Sequence, residues 1–154
     1  MTSTALRVNG EIHEVDVDPA TPLLYILRNQ LGFTGPKLGC GLEQCGACAV
    51  LVDGKVELCC SRAVVDFAGR EIITIEGLGR DPVGQVVQDA FIAEDAAQCG
   101  YCTAGIVIRS TALLQQNPAP SREETIAALN DHLCRCGSHA RILRAIERAS
   151  GELT

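Results

Sequence analysis

The sequence has no tryptophan, two tyrosines and three phenylalanines, so aromatic residues supply only 3% of its 154 positions. Because 47% of the chain is nonetheless hydrophobic, its core is expected to be aliphatic and packed from small side chains. Basic residues are in deficit: 13 Lys and Arg face 19 Asp and Glu, a formal charge of −6 with no basic block to offset it. That balance argues against nucleic acid as a partner. Long apolar runs are missing too, so no stretch of about 20 residues is available for direct membrane insertion. Met1 to Asn9 carries neither an apolar core nor a twin-arginine pair. The expected location is therefore cytoplasmic, or periplasmic only on export with a partner. Cysteine, by contrast, is in excess. Nine cysteines cannot all close into intramolecular disulfides, and in a reducing compartment they are expected to be reduced or metal-bound.

Leu6, Val8, the pair Asn9-Gly10, and Ile12, Val15 and Val17 read as a hairpin, because Asn-Gly tolerates the positive φ of a tight turn. Thr21 before Pro22 reads as an N-cap with proline at the first helical position, opening a short helix through Leu24, Leu27 and Leu31 to Gly32. Ala49 to Val52, the turn Asp53-Gly54, and Val56 with Leu58 form a second hairpin, and Ile72, Ile73 and Ile75 suggest a further strand. Gly77, Gly79 and Pro82 end the strand patterns, which places a domain boundary between residues 1–78 and 79–154. Beyond it, Val83, Val86, Val87, Ala90 and Phe91 repeat at helical spacing, and Ile106 to Leu114 is a second helix. Ser121 with Glu124 forms a capping box ahead of Ile126, Leu129 and Leu133, and Ser138 caps a last helix carrying Ile142, Ala145, Ile146 and Ala149. The fold class is α+β, with a small helical bundle as its second half.

Cys40, Cys45 and Cys48 have the C-x4-C-x2-C spacing of plant-type ferredoxins, with Cys59 or Cys60 at the hairpin exit as the fourth ligand. Gly39, Gly41 and Gly46 let such a loop wrap a cluster and bring its amides to the sulfurs. Cys99-Gly100-Tyr101-Cys102 and Cys134-Arg135-Cys136 are two further pairs, each beside a predicted helix end, that can meet across a bundle. Zinc bound by four cysteines is the main competitor for either group, although zinc pairs generally have about two to four intervening residues. A redox dithiol at Cys99 and Cys102 lacks the buried strand that should precede it. The glycine run matches neither a Walker A loop nor G-x-G-x-x-G, since Gln44 stands where the third glycine is due. His13 and His132 have no ligand partners at metal spacing and are expected on the surface or a helix face, and His139 at a helix start. Arg135 is either solvated or set to offset an anionic cluster or meet a phosphate.

The runs Gly39-Cys40-Gly41-Leu42-Glu43-Gln44-Cys45-Gly46-Ala47-Cys48, Gln98-Cys99-Gly100-Tyr101-Cys102 and Leu133-Cys134-Arg135-Cys136-Gly137 follow one another in order along the chain. Together they resemble the iron–sulfur subunits of molybdenum hydroxylases, the family of xanthine dehydrogenase, aldehyde oxidoreductase and carbon monoxide dehydrogenase. The resemblance implies an N-terminal β-grasp plant-type ferredoxin domain and a C-terminal four-helix bundle, each holding one two-iron two-sulfur (2Fe-2S) cluster. It implies Cys40, Cys45, Cys48 and Cys60 as ligands of the first cluster and Cys99, Cys102, Cys134 and Cys136 of the second, and Cys59 then packs as a small hydrophobe. It places Gln98 against the molybdenum-pterin cofactor, molybdopterin cytosine dinucleotide, of a large partner subunit.

The implied function is electron transfer, as the non-catalytic subunit of an oxidoreductase that hydroxylates an N-heteroaromatic compound or an aldehyde. Electrons would pass from molybdenum through both clusters to a flavin or cytochrome subunit or domain, or to a soluble carrier. Thr103-Ala104-Gly105 follow Cys102 where many members carry a proline. Gly35-Pro36-Lys37-Leu38-Gly39 and Gly137-Ser138-His139-Ala140-Arg141 look like the branch containing isoquinoline oxidoreductase and nicotinate dehydrogenase. A free-standing ferredoxin-like carrier and a zinc-stabilised interaction module are the competing expectations.

Overall fold

In the computed structural model, which describes residues 2–154, both expected hairpins form. Strands β1 (Thr2–Val8) and β2 (Glu11–Val17) pair antiparallel around Asn9 and Gly10, whose φ angles are 53° and 83°. Strands β3 (Ala49–Val52) and β4 (Lys55–Leu58) pair in the same way around Asp53 and Gly54. Strand β5 (Glu71–Ile73) joins the hairpins, parallel to β1 and antiparallel to β3, giving one sheet of order β2-β1-β5-β3-β4. In β1 and β2, Leu6, Val8, Val15 and Val17 are buried while their neighbours are exposed, the alternation of strands with one covered face. Strand β3 is buried throughout, because Val50 and Val52 enter the core under the sheet while Ala49 and Leu51 enter the core of the helices.

The first helix departs from expectation. Pro22, not Thr21, is the cap, at φ −61° and ψ 136° and with no side-chain bond. The reason is competition for the backbone: Thr21 accepts from the Val64 amide, Leu23 donates to Arg62, and Pro22 pairs with Ala63 in an isolated bridge. Helix α1 therefore spans only Leu23–Tyr25 and continues as a π turn over Ile26–Gln30. Leu23, Leu24, Ile26 and Leu27 are all buried, so packing holds this short element. Ile75 is likewise not in a strand: Asn9 accepts from the Thr74 amide at 2.9 Å, ending the ladder, and a 3-10 segment follows over Ile75–Arg80. A second 3-10 segment, Val64–Phe67, has no periodic signal in the sequence, yet Phe67 is fully buried with Arg62 over its ring at 5.1 Å.

Helix α2 (Pro82–Ala93) starts with Asp81 accepting from the Gly84 amide and proline at the first turn. Helices α3 (Thr103–Gln116), α4 (Arg122–Ala128) and α5 (His139–Leu153) follow. Helix α2 packs on α3 and α5, α4 packs on α3 and α5, and α3 also lies against β3. Their shared core is aliphatic as expected, with buried Val87, Ile106, Leu114, Ile142 and Ile146, small residues at Ala90, Ala145 and Ala149, and Phe91 as its aromatic member. Among the described residues no helix is long and apolar enough to cross a membrane.

The expected capping box is present at α4, where Ser121 accepts from the Glu124 amide and the Glu124 carboxylate accepts from the Ser121 amide. Ser121→Ala removes one half of it and is expected to cost about 1 kcal/mol. Urea unfolding should show a lower midpoint at unchanged slope.

Candidate metal centres

The first group of thiols sits on the loop between the π turn and β3. Gly41, Glu43 and Gly46 take left-handed φ values of 68°, 55° and 74°, and these turns point backbone amides inward. The Leu42 and Gln44 amides each lie 3.3 Å from Cys40 Sγ, and the Cys40 amide lies 3.4 Å from Cys45 Sγ. A Cβ on Gly39 would stand 2.5 Å from Cys45 Sγ, so only glycine lets the chain pass that sulfur. Cys48 enters β3, and the hairpin returns Cys59 and Cys60 to it from the end of β4.

Electrostatics separates these thiols. The Cys59 thiol beside Cys48 is the largest influence that brings Cys48 down to about 6, against the opposing effect of burial. For Cys40, burial resists ionisation, but the amides of Gln44, Leu42 and Cys45 outweigh it and the thiol falls to about 7. Burial pushes Cys60 up to about 11, and the charges of Cys48 and Cys40 push the same way, so Cys60 shares one electrostatic site with both. Cys59 is raised well above its usual value by Cys48 and by burial. Fully buried, it donates its thiol hydrogen to the Cys48 carbonyl at 3.0 Å. It packs as the small hydrophobe expected.

The second group lies where the helices end. Cys99 and Cys102 flank the turn into α3, with Gly100 at φ 82°, and Cys134 and Cys136 lie between α4 and α5. The Tyr101 amide and then the Cys136 thiol lower Cys99, while burial and then Cys134 push Cys102 up to about 12. Burial opposes ionisation of Cys134, yet the Ser138 amide, 3.4 Å from its sulfur, and the Cys102 thiol lower it overall. The Cys99 amide favours the Cys136 thiolate, but the Cys99 thiol shares its proton and raises Cys136 on balance. The four thus meet as the pairs Cys99 with Cys136 and Cys102 with Cys134.

In each group the thiols can ionise together only beside a strong positive charge, and the inward amides are suited to anionic sulfur. In the second group the pairing would let each metal of a two-metal core take two thiols. The donor sets therefore fit iron–sulfur clusters.

The two groups touch. The Leu133 amide donates to the Cys45 carbonyl at 3.0 Å, and the Tyr101 hydroxyl donates to the Leu38 carbonyl at 2.6 Å. A Cβ on Gly105 would stand 2.1 Å from the Gly46 oxygen. His132 is the departure here: expected at the surface, it is 7% exposed and seated against Gly46. Burial, with the Arg109 charge next, holds it down to about 4 and so neutral. Nothing local in the sequence marks this, because the surface it meets lies on a distant loop. His139 is exposed at the start of α5 as expected, and half-buried His13 meets the Phe33 ring edge-on at 5.9 Å. Gln98, Cys99, Arg135 and Cys136 are all exposed.

A ferredoxin-like sheet and a helical half, each with its own group of thiols beside inward amides, define an iron–sulfur protein with two cluster sites. Comparison with known proteins agrees. Residues 6–70 match the family model described as a 2Fe-2S iron-sulfur cluster binding domain, and residues 74–147 the model described as a 2Fe-2S binding domain. A nicotinate dehydrogenase component from Pseudomonas putida is 50% identical over 149 residues, which is 97% of this chain and 95% of that one. The corresponding component of isoquinoline 1-oxidoreductase from Brevundimonas diminuta is 40% identical, over 94% of this chain and 95% of that one. The crystal structure of quinoline 2-oxidoreductase from Pseudomonas putida 86 superposes with a TM-score of 0.91 at 34% identity, over 99% of this chain and 95% of that chain. The chain belongs to the family of iron–sulfur subunits of the molybdenum hydroxylases, with two 2Fe-2S binding domains.

Gly105→Ala tests the contact between the two groups. Its methyl would meet backbone, which cannot move aside as a side chain can. Such overpacking is expected to cost about 1–3 kcal/mol and to loosen both cluster loops. Thermal melting of the cluster-loaded variant, with iron loss followed by its visible absorption, checks this.

Proposed function

We propose that this chain relays electrons from a large molybdenum-pterin subunit to an external acceptor. In this reading Cys40, Cys45, Cys48 and Cys60 hold one cluster, and Cys99, Cys102, Cys134 and Cys136 hold the other. The observation that carries it is the hydrogen bond from the Leu133 amide to the Cys45 carbonyl. Cys45 belongs to one thiol group and Leu133 adjoins Cys134 of the other. The two groups are thereby joined through backbone and a hydrogen bond.

When bound, each 2Fe-2S cluster supplies a one-electron station. The cysteines give up their protons on loading, including Cys60 and Cys102, which otherwise hold theirs up to about 11 and about 12. The Leu42, Gln44 and Ser138 amides then stabilise anionic sulfur.

Exposure supports the assignment of faces to partners. Gln98, Arg135 and the 59% exposed Leu133 surround Cys99 and Cys136, a face suited to the large subunit. There the Gln98 amide would meet the pterin of molybdopterin cytosine dinucleotide. The first group exposes Cys40 and, at 67%, Leu42, a face suited to a flavin or cytochrome subunit or domain as acceptor. Residues 1–78 would form a β-grasp unit and residues 79–154 a four-helix bundle. The names of the relatives favour an N-heteroaromatic substrate over an aldehyde, and the complex would be cytoplasmic.

Iron, acid-labile sulfide and zinc content of the natively purified chain, with electron paramagnetic resonance after dithionite reduction, tests this reading. Two 2Fe-2S domains require four irons and two distinct rhombic signals per chain. Zinc without such signals would overturn it. Cys60→Ala is expected to remove one signal and about half the iron, whereas Cys59→Ala should keep both signals.

A further inference from the structure

We propose that His132 is a positioning residue that holds the two cluster loops against each other and so sets the rate of electron passage between the clusters. The inference rests on the electron-relay reading above. It starts from an anomaly: the imidazole is 7% exposed, and neither Nδ1 nor Nε2 has a hydrogen-bond partner. The Gly105 backbone lies beside the ring but forms no well-aligned hydrogen bond with it, so packing is the ring's main support.

The place it fills is specific. A Cβ on Gly46 would stand 2.4 Å from His132 Cδ2 and 2.6 Å from Cγ, so the carbon edge of the ring is seated on the bare backbone of Gly46. Gly46 directly follows Cys45, whose carbonyl accepts from Leu133, the residue directly after His132. From another direction Gly105 of α3 approaches the Gly46 oxygen and the Ala47 Cα, at 2.1 Å and 3.3 Å from where its own Cβ would stand. Gly46, the residue next to the bridging carbonyl, is therefore in contact with both a helix and the imidazole. The histidine backbone is itself anchored, its amide donating to Leu129 at 2.9 Å.

Without the ring, the Cys45–Gly46 segment has one support fewer, and a well-packed interior does not refill such a space freely. The Leu133 to Cys45 hydrogen bond would open more often. Electron passage between the clusters changes no covalent bond and moves no proton: one cluster loses one electron and the other gains it. Its rate therefore depends on how well this contact is maintained.

The test uses the full cluster-loaded chain as wild type, His132→Ala and His132→Phe. Iron content is read first: a wild-type chain without four irons defeats the electron-relay reading itself, not the role of His132. Two measurements then decide. One is hydrogen exchange of the Leu133 amide by mass spectrometry, and the other is electron equilibration between the clusters after pulsed one-electron reduction. The alanine variant is expected to exchange at Leu133 about tenfold faster and to equilibrate about 10–100-fold more slowly. The phenylalanine variant, which keeps a ring without nitrogens, should return both to within about threefold of wild type. An alanine variant with both clusters and wild-type exchange and equilibration overturns the proposal. So does a phenylalanine variant as impaired as alanine, since the nitrogens would then matter and not the shape. Should alanine cause loss of iron, the phenylalanine variant decides alone by the same two readings.

Discussion

Thiolates repel one another, and the unusual features of this chain follow from holding two groups of four at close range. Burial and then neighbouring thiols push Cys60 and Cys102 up, while the Cys59 thiol brings Cys48 down and backbone amides bring Cys40 and Cys134 down. The protein brings no basic side chain to bear on the thiols that fall to lower values. It uses backbone dipoles instead. The amides of Leu42 and Gln44 reach Cys40 only because Gly41 and Glu43 adopt left-handed conformations, and a loop spent on such turns forms no ladder or helix of its own.

That dependence explains the scaffold. A loop with no regular structure must be fixed at both ends, and here one end is tied to buried Leu27 through the π turn and the other to β3, which is covered on both faces. Strand β3 carries the sharpest demand. Its Val50 and Val52 complete the core beneath the sheet, while Ala49 and Leu51 complete the helical core. Small residues recur where the halves meet, since Gly46 and Gly105 leave no room for a methyl group between them. The same close approach that joins the cores joins the thiol groups.

The parts legible in the sequence were those set by local spacing. The hairpins follow from Asn9-Gly10 and Asp53-Gly54, the cap of α4 from Ser121 and Glu124, and both thiol groups from short cysteine intervals. What sequence could not show were competitions between distant partners. Thr21 has the chemistry of a cap, but the Val64 amide claims its carbonyl and holds the chain extended past Pro22. Ile75 continues an apolar run, yet the Asn9 side chain ends the strand before it. Phe67 gives no periodicity because a 3-10 segment of four residues is too short to show one. His132 escapes sequence reasoning for a related cause: following Asn130 and Asp131 it resembles a surface residue, and only the folded loop across from it supplies the bare Gly46 backbone on which it sits.

A chain that passes electrons has requirements opposite to those of a chain that moves protons. General acid–base chemistry needs a titratable group near neutrality and in reach of substrate. His132 is buried and held neutral, and the strongly perturbed groups are thiols suited to binding metal. What a relay requires is an interior contact shielded from solvent and an open face at each station. Both thiol groups meet that condition: Cys48, Cys60 and Cys134 are buried, whereas Cys40 in one group and Cys99 and Cys136 in the other are exposed. The exposed thiols would be a liability in a free-standing metal protein, open to oxidation and loss of metal. In the proposed complex, partners that cover those faces would make them points of electron entry and exit. The exposure pattern thus argues for an assembled complex over a solitary carrier.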